Sequence, residues 1–526
     1  MSTHDERVLV VGAGPVGAVL ALELARHGIP SVLVERSTGP SRHPKMDYVN
    51  GRSMELLRRL GLAEEIRARG IGAEHQANFL WTRGFQEPPV RTWQHESVAG
   101  VAARLATVND GTAPLEPYQR VQGSLLEEIV RREARDHPLV DLVEGWAFTD
   151  LEDTGDGVVV SLAGPGGQVR TVRAPYVAAC DGANSTVRRC LGIPVEETGP
   201  KARNCSVYFR STDPALRRHG RAFVTISARG LTLVSRDEAD TWTGSIPLHG
   251  DGPFTADPVE TMRQRLGTDF AVDEVLNVAV WEGSLSVAST YRSGSVFLVG
   301  DSAHHFFPTG GHGANTGLAD AVDLGWKLAA VLHGWGGPRL LASYEAERRP
   351  VALFNREMCA NLLEVWRRFA RMVADGASRE HLGGFLDAEV YQLDNVGVHF
   401  GYRYSDSPVI WPEQGTPPPW RWHEIVPTTW PGSRAPSLRL ADGTDIFDRL
   451  GTGLTLVDFT GGDTGAALVK EALEHGVPME HLAVDDAARA VWERDLVLVR
   501  PDQHVAWRGD AAPEHWAGVL DHIRGH

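Results

Sequence analysis

The segment that most constrains the fold lies at the N-terminus. Four consecutive apolar residues, Val8–Val11, are typical of a strand buried on both faces of a parallel sheet. A glycine-rich turn follows, Gly12-Ala13-Gly14-Pro15-Val16-Gly17, and then a periodic apolar stretch that ends at His27-Gly28 and predicts a helix. A second apolar run, Val32–Val34, predicts the next strand and ends on Glu35.

This order of strand, glycine turn, helix and strand has a direct physical interpretation. Glycines let the backbone approach a pyrophosphate at the helix N-terminus, and an acid after the second strand can bind a ribose hydroxyl. We therefore predict a dinucleotide site formed by Gly12, Gly14, Pro15, Val16, Gly17 and Glu35. The alternative is a tight turn without a ligand. Because Glu35 would repel a 2′-phosphate, the bound adenosine should belong to FAD or NAD rather than to NADP.

Composition narrows the class of protein. The chain of 526 residues is long enough for about three domains. Its formal net charge of −16 would repel a phosphate backbone, which argues against nucleic-acid binding. The N-terminus is polar, the four cysteines form no paired motif, and no uncharged apolar run reaches the ~18 residues of a membrane helix. We expect a cytoplasmic protein that binds neither nucleic acid nor membrane.

Two later segments each end a predicted strand with an acid beside a glycine. In the first, an apolar run that starts at Val177 leads into Asp181-Gly182. In the second, the run that starts at Val296 leads into Gly300-Asp301, a glycine-rich loop, and a helix that we predict from about Asn315. An Asp-Gly pair also favours a hairpin turn, so the first segment is ambiguous when taken alone.

The three motifs together, at these separations, resemble those of the class A flavoprotein monooxygenases, the aromatic hydroxylases typified by para-hydroxybenzoate hydroxylase. The resemblance covers essentially the whole chain. It implies an α/β fold (α+β overall) in which a Rossmann-like FAD-binding domain is interleaved with a β-sheet substrate domain. The expected boundaries are 1–75, 116–190 and 291–400 for the FAD-binding domain, 76–115 and 195–290 for the substrate domain, and 435–526 for a thioredoxin-like C-terminal domain.

The resemblance also assigns roles within the two later motifs. Asp181 and Gly182 match the motif near the pyrophosphate and the nicotinamide donor, and Asp301 matches the aspartate that holds the ribityl chain. The next loop looks like the family's flavin-ring loop, where backbone N–H groups at a helix N-terminus stabilise negative charge. The candidates in it are Pro308, Gly311, Gly313, Ala314 and Asn315.

Four further residues are candidates for cofactor binding. Gln122 falls where the family keeps a glutamine near the flavin, and a surface glutamine on a helix is the alternative. Arg36, Arg42 and Lys45 are candidates for the cofactor phosphates, each with a solvent-exposed role as the alternative.

The reaction implied by the resemblance has FAD as cofactor and NADPH or NADH as electron donor. Dioxygen adds to the reduced flavin to give a C4a-hydroperoxide, whose distal oxygen passes to a phenolic or polycyclic aromatic substrate. A deprotonated hydroxyl makes the ring a better nucleophile, so the site needs a base near the flavin. The alternative is a flavin oxidoreductase of the same fold that inserts no oxygen.

Asp47 is the nominated catalytic base. It stands five residues before Arg52, and phenol hydroxylases of this family carry an aspartate at that distance from the matching arginine. The alternative is that Asp47 caps the helix that begins near Asn50.

Two groups of residues carry competing interpretations. The Gly-Asp segment contains His304, His305 and His312, but a glycine-filled loop lacks the oriented partners that ligating histidines normally have, so we predict no metal site. Aromatic residues in the substrate-domain segments could line a pocket or pack in the core. They are Phe79, Trp81, Phe85, Trp93, Tyr208, Phe209 and Trp242.

The C-terminal region follows a segment rich in proline and tryptophan, residues 408–436, which predicts a linker. The region is similar to the thioredoxin-like tail of the phenol hydroxylase and antibiotic-tailoring branch of the family, and the stretch Val497–Asp510 is typical of that branch. The last cysteine is Cys359, so this domain has no redox dithiol. We expect it to be structural or to form a homo-oligomer.

Overall fold

The computed structural model describes residues 3–4, 7–40 and 46–526. Two predicted phosphate-binding residues, Arg42 and Lys45, lie outside the described residues. Strands β1–β24 and helices α1–α14 are numbered below in chain order.

The N-terminal unit builds a six-stranded, mostly parallel sheet. In spatial order its strands are β18 (Arg292–Ser293), β19 (Val296–Leu298), β12 (Val177–Ala179), β2 (Val8–Val11), β3 (Ser31–Glu35) and β8 (Val140–Glu144). The register places Val11 beside Val34 and Ala179, and Ala179 beside Leu298. The segments after β2, β12 and β19 therefore emerge at one edge, where ligands bind in open parallel sheets.

Helices cover this sheet and form the largest apolar cluster with it. They are α1 (Pro15–Arg26), α2 (Gly51–Arg58), α3 (Ala63–Arg69), α5 (Gly123–Asp136), α6 (Thr186–Cys190) and α8 (His312–Leu332). Two small sheets complete the unit. One contains β1 (Thr3–His4), β11 (Val169–Ala174), β10 (Val158–Ala163) and β9 (Ala147–Asp153), and the other pairs β4 (Tyr48–Val49) with β7 (Gln119–Arg120).

An eight-stranded sheet forms the second unit. In spatial order its strands are β20 (His304–His305), β17 (Glu274–Ala288), β13 (Val195–Arg210), β16 (Thr241–Leu248), β15 (Leu231–Ser235), β14 (Val224–Ser227), β5 (Phe79–Thr82) and β6 (Arg91–Trp93). Helices α4 (Val98–Leu105) and α7 (Pro258–Leu266) belong to the same segments of chain. Most of the predicted aromatic residues are buried here, whereas Phe79 and Tyr208 are half-buried.

One long helix, α9 (Pro338–Ala374), joins the two units. Tyr344 in its first half packs in the cluster of the parallel sheet, whereas Phe369 in its second half packs in a cluster with Trp81 of the eight-stranded sheet. Helices α10 (Arg379–Glu389) and α11 (Val396–Phe400) follow. The described residues contain no helix long and apolar enough to cross a membrane.

The C-terminal unit has strand order β22 (Met479–Ala483), β21 (Leu454–Asp458), β23 (Leu496–Val499) and β24 (Val505–Gly509). Its helices are α12 (Asp463–Glu474), α13 (Asp486–Trp492) and α14 (Trp516–Ile523). Strands β21 and β22 are parallel, whereas β23 is antiparallel to both its neighbours. The thioredoxin-like assignment of this unit stays a prediction. Trp326 of α8 and Leu340 of α9 share an apolar cluster with Leu456 and Leu498, so this unit packs firmly against the first.

Candidate cofactor and substrate site

The glycines of the first turn divide into two kinds. A Cβ atom at Gly17 would lie 1.9 Å from the Gly12 carbonyl oxygen, and one at Gly12 would lie 2.5 Å from the Cys180 carbonyl oxygen. These two glycines therefore permit close packing of strand and helix. A Cβ at Gly14 would meet no atom within 4 Å, so this glycine borders open space at the N-terminus of α1.

Two later glycines border the same kind of open space. A Cβ at Gly182 would meet nothing within 4 Å, and one at Gly313 would meet only an Asp301 carboxylate oxygen, at 4.0 Å. Three motifs thus present small residues at one sheet edge, and no atom of the described residues fills the space immediately before them. This cradle suits a long dinucleotide that runs past the ends of β2, β12 and β19.

The start of α1 is arranged for an anion. Gly14 is the N-cap residue and provides no side-chain hydrogen bond to the first turn, while Pro15 begins the helix. N–H groups left free at a helix N-terminus favour phosphate. The Val16 side chain packs against Gly300 and Gly317 and so joins α1 to the Gly-Asp turn, while its backbone N–H lies in the first turn of α1.

Glu35 lies beside the glycine turn, as predicted from its position after β3. Its Oε2 accepts a hydrogen bond from the Ala13 N–H at 2.8 Å, and its Oε1 accepts one from the Ser37 N–H at 2.9 Å. Arg36, the next residue, is exposed. Glu35 therefore supports the turn and still has acceptor capacity for a hydroxyl group.

Arg131 is a residue of this edge that the sequence analysis missed. Its Nε donates to the Ala13 carbonyl at 2.6 Å, and its Nη2 lies 3.5 Å from Glu35 Oε2. A salt bridge of 2.6 Å to Glu127 holds the guanidinium in place. The i,i+4 spacing of Glu127 and Arg131 on the buried side of α5 was the signal in the sequence.

Asp181 has one occupied oxygen and one free oxygen. Its Oδ2 accepts from the N–H groups of Thr186 at 2.7 Å and Val187 at 3.2 Å, while its Oδ1 is buried without a partner. The Asp-Gly turn therefore leads from β12 into α6, which removes the hairpin alternative. Gly182 has φ +84°, a conformation that favours glycine.

A buried ion network holds the Gly-Asp turn. Asp320 of α8 accepts from the Gly300 N–H at 3.3 Å, pairs with His304 Nε2 at 2.7 Å and accepts from Arg348 Nε at 2.8 Å. Burial opposes ionisation, but Arg348 and His304 outweigh it and lower the pKa of Asp320. His304 thus serves the network, and Asp301 itself is exposed beside Gly313.

The predicted flavin loop is fastened to the segment that contains Asp47. Asn315 Nδ2 donates to the carbonyls of Gly311 at 2.6 Å and Tyr48 at 3.0 Å, and its Oδ1 accepts from the Asn50 N–H at 3.0 Å. The Tyr48 ring packs on Gly311, where a Cβ would approach it to 3.2 Å. Asn315 is therefore a positioning residue for the loop, and α8 begins at His312, three residues before the predicted start.

His312 is buried directly behind the loop. Its Nδ1 has no hydrogen-bond partner, and its ring centroid lies 5.4 Å from that of His399. Burial lowers the pKa of His312 to about 4, so the ring is neutral at pH 7.

Asp47 faces the eight-stranded sheet. Its Oδ2 forms a salt bridge with Arg236 Nη1, and Arg236 Nε donates to Thr243 Oγ1 at 2.9 Å. Asp47 Oδ1 is buried and has no hydrogen-bond partner among the described residues. The cap of α2 is Asn50, whose side chain accepts from the Ser53 N–H, so Asp47 does not cap that helix.

Gln122 lies close to Asp47 in space, because the residues on either side of it bind the backbone of Met46 and Asp47. The Gly123 N–H donates to the Met46 carbonyl at 2.8 Å, and the Val121 N–H donates to the Asp47 carbonyl at 3.1 Å. Gln122 is half-buried between them at the start of α5. The structure thus brings Gln122, the flavin loop and Asp47 to one place.

Known protein families match this arrangement over almost the whole chain. Residues 5–355 match the FAD binding domain family, and residues 428–526 match the family described as aromatic-ring hydroxylase, C-terminal.

Individual relatives match it as well. The FAD-dependent monooxygenase apdD of Emericella nidulans is 33% identical over 97% of this chain and 88% of its own length. A structure of the rebeccamycin biosynthetic enzyme RebC with reduced flavin has a TM-score of 0.88 and 31% identity, covering 99% of each chain. A ternary complex of aklavinone-11 hydroxylase with FAD and aklavinone has a TM-score of 0.84 and 29% identity, covering 100% of each chain.

The fold and the sheet-edge site define an FAD-dependent oxidoreductase. The chain belongs to the aromatic-ring hydroxylases, the class A flavoprotein monooxygenases. Its cofactor is FAD, and its activity is that of an aromatic monooxygenase. The relatives fit this activity and not the alternative of an oxidoreductase without oxygen insertion.

Proposed function

We propose that this enzyme takes electrons from NADPH or NADH and hydroxylates a phenolic or polycyclic aromatic compound with dioxygen, using Asp47 as the base. The balanced reaction consumes one donor, one proton and one dioxygen, and it yields the hydroxylated ring, the oxidised donor and water. The observation that carries the proposal is the unpartnered, buried Asp47 Oδ1 beside the segment that fastens the flavin loop.

The residues that would hold FAD line the sheet edge. Gly14 and the start of α1 would accept the pyrophosphate, Glu35 a ribose hydroxyl, and Asp301 the ribityl chain. The free Asp181 Oδ1 and the open space at Gly182 would leave room for the nicotinamide donor to approach from solvent. Bound FAD supplies the redox chemistry, namely acceptance of hydride from the donor and delivery of one oxygen atom.

Asp47 would take the proton of the substrate hydroxyl on Oδ1. Removal of this proton places negative charge on the ring and makes its carbon atoms better nucleophiles. The salt bridge from Arg236 to Oδ2, itself held by Thr243, fixes the carboxylate so that Oδ1 stays available.

The loop before α8 would stabilise negative charge that develops on the reduced ring system. It ends at the N-terminus of a 21-residue helix, whose N–H groups carry partial positive charge. Asn315 sets the position of these groups by its three hydrogen bonds to Asn50, Tyr48 and Gly311.

The names of the relatives support an aromatic small-molecule substrate. The structure of aklavinone-11 hydroxylase holds FAD and aklavinone, and apdD is an FAD-dependent monooxygenase. A homo-oligomer stays a prediction. So does a reduced, cytoplasmic setting, which the four free cysteines support.

The experiment is a substrate screen with the purified holoenzyme. Phenols and fused-ring phenols of increasing size are added while NADPH or NADH oxidation is followed by absorbance. We expect one size class to stimulate oxidation and to yield a hydroxylated product by mass spectrometry. Stimulation by none of these compounds with either donor would contradict the proposal.

A further inference from the structure

The turn between β23 and β24 is a feature that the proposed function leaves unexplained. It belongs to the stretch Val497–Asp510, which the sequence marks as typical of one branch of the family. Four of its polar residues are only 1–2% exposed: Arg500, Asp502, Gln503 and His504. Gln503 also has φ +69°, a conformation that costs free energy in a residue other than glycine. Such a turn needs strong compensating contacts.

The first set of contacts is with α2. Gln503 Oε1 accepts a hydrogen bond from Arg52 Nη1, and the Asp502 carbonyl accepts from Arg52 Nη2 at 2.8 Å. Arg52 is the second residue of α2 and is 4% exposed. Glu55 of the same helix also accepts from Arg52 Nη1, at 3.1 Å, and from Arg434 Nη2 at 2.5 Å. The turn and Arg434 therefore hold the beginning of α2 by buried hydrogen bonds to Arg52 and Glu55.

The beginning of α2 is one contact away from the flavin loop. Asn50, the cap of α2, donates its N–H to Asn315 Oδ1 at 3.0 Å, and Asn315 Nδ2 donates to the Gly311 carbonyl at 2.6 Å. A continuous path thus runs from Gln503 to Gly311. It consists of the hydrogen bond to Arg52, the start of α2 between Arg52 and Asn50, and the hydrogen bonds of Asn315.

The second set of contacts fixes the turn against α8 and α9. Arg500 donates to Glu347 at 2.7 and 2.8 Å and to Asp323 at 3.1 Å. Lys327 Nζ donates to Asp323 at 2.8 Å and to Glu347 at 2.5 Å. The carboxylates of Asp323, Glu347 and Asp502 lie close enough to share a metal ion, but here Lys327 and Arg500 supply the positive charge.

One more carboxylate than cation is present in this cluster. Burial raises the pKa of the Asp323 carboxyl, and Lys327 and Arg500 oppose that rise. A buried cluster of hydrogen-bonded ion pairs is a rigid support, because any shift would leave a buried charge without a partner.

A third path reaches the Gly-Asp turn. The His504 ring lies 4.3 Å from the Tyr404 ring, and Tyr404 Oη accepts from Arg348 Nη1 at 3.1 Å. Arg348 in turn holds Asp320, which binds the Gly300 N–H. Residues 500–504 therefore support both the flavin loop and the Gly-Asp turn.

We propose that the Arg500–His504 turn is a positioning element of the flavin site, in which Gln503 sets the place of the flavin loop through Arg52, Asn50 and Asn315. The proposal rests on the flavin site assigned above. It gives the C-terminal unit, which lacks a redox dithiol, a role in keeping oxygen transfer coupled to donor oxidation. Gln503 and Arg52 are positioning residues, since the path from them to the flavin loop runs through Asn50 and Asn315.

The test compares Gln503→Asn with Gln503→Glu. Asparagine tolerates the left-handed conformation but is one methylene too short to reach Arg52, whereas glutamate keeps the reach and an acceptor oxygen. The matched control is Asp448→Ala. It removes the exposed salt bridge of 2.8 Å to Arg58, which joins the same unit to the other end of α2.

Three quantities are measured: the FAD dissociation constant, the visible spectrum of the bound flavin, and the product formed per donor consumed. For Gln503→Asn we expect about five- to tenfold weaker FAD binding, the equivalent of one hydrogen bond. We also expect a shifted flavin spectrum and more donor oxidation without product. Asp448→Ala should stay within about twofold of the wild type in all three, and Gln503→Glu should recover part of what Gln503→Asn loses, because it keeps an acceptor for Arg52.

The proposal is overturned if Gln503→Asn and Asp448→Ala give the same spectrum, FAD affinity and coupling. Should Gln503→Asn fail to fold, Arg52→Lys takes its place, since it keeps the charge but loses the two-sided contact to the turn. If the wild type binds FAD but hydroxylates no aromatic compound, the proposed function fails. FAD affinity and spectrum then still decide whether the turn positions the loop.

Discussion

The cofactor edge and the substrate face of this enzyme are built in different ways. At the edge, short motifs after β2, β12 and β19 present glycines and backbone N–H groups, and each motif is contiguous in sequence. At the face, Asp47 is held by Arg236, which lies 189 positions away. The cofactor site therefore depends on small residues and backbone, whereas the catalytic site depends on side chains brought together by the fold.

The largest expected effect comes from a charge at the cofactor edge. Asp is a favoured N-cap residue and Gly14 has ordinary backbone angles, so Gly14→Asp should leave α1 intact. Its carboxylate would repel the pyrophosphate and weaken FAD binding by at least about 100-fold. Titration of the apoprotein with FAD measures this, and Gly14→Ser serves as the neutral control.

Gly17 has a different role from Gly14, because it permits close packing of strand and helix. Gly17→Ala forces a methyl group to within 1.9 Å of the Gly12 carbonyl, so we expect a loss of about 1–3 kcal/mol in the free energy of unfolding of the apoprotein. Equal melting temperatures for Gly17→Ala and Gly14→Asp apoproteins would remove the distinction between the two glycines.

The next largest effect is a slower hydroxylation when Asp47, at the substrate face, is replaced. Asp47→Ala should leave FAD bound and slow hydroxylation by about 10²-fold or more, the usual contribution of a general base. Single-turnover rates with the best phenol of the screen provide the measurement. Asp47→Glu, which keeps a carboxylate, should recover part of the rate, and a rate unchanged in Asp47→Ala would eliminate the assignment.

The smallest effect is a pH dependence at His312, behind the flavin loop. The pKa of this ring is lowered to about 4, so the unfolded chain binds a proton near pH 6.5 while the folded protein does not. Stability is therefore lost as the pH falls from 6.5 towards 4, by about 2 kcal/mol between pH 7 and pH 5.

His312→Gln should remove that part of the slope. Chemical denaturation at several pH values measures it, with His475→Gln at an exposed helix end as the matched control. Identical slopes for the wild type and His312→Gln would show that the ring does not carry the effect.

Much of the cofactor edge could be predicted from sequence because its requirements are local. Gly12-Ala-Gly14-Pro-Val-Gly17 and Gly300-Asp301 each join a strand to a turn within a few residues. Periodicity also located α1. Arg131 was missed although its i,i+4 partner Glu127 was visible, since an ion pair on a helix is usually a surface feature.

The rest depends on contacts between distant segments. Nothing near Arg236 or Thr243 indicates that they hold Asp47, since that pairing exists only once β15 and β16 lie beside the segment from Met46 to Tyr48. Arg52 and Gln503, in different folding units, form a buried contact that no local pattern specifies. Side-chain networks of this kind need the tertiary fold before they can be recognised.

Transfer of oxygen from dioxygen to an aromatic ring is the central claim, and isotope labelling tests it most directly. The holoenzyme is supplied with ¹⁸O₂, the donor and the phenol that best stimulates donor oxidation, and the product is analysed by mass spectrometry. We expect one ¹⁸O atom in each hydroxylated product molecule. A product without the label, or with oxygen derived from water, would contradict it.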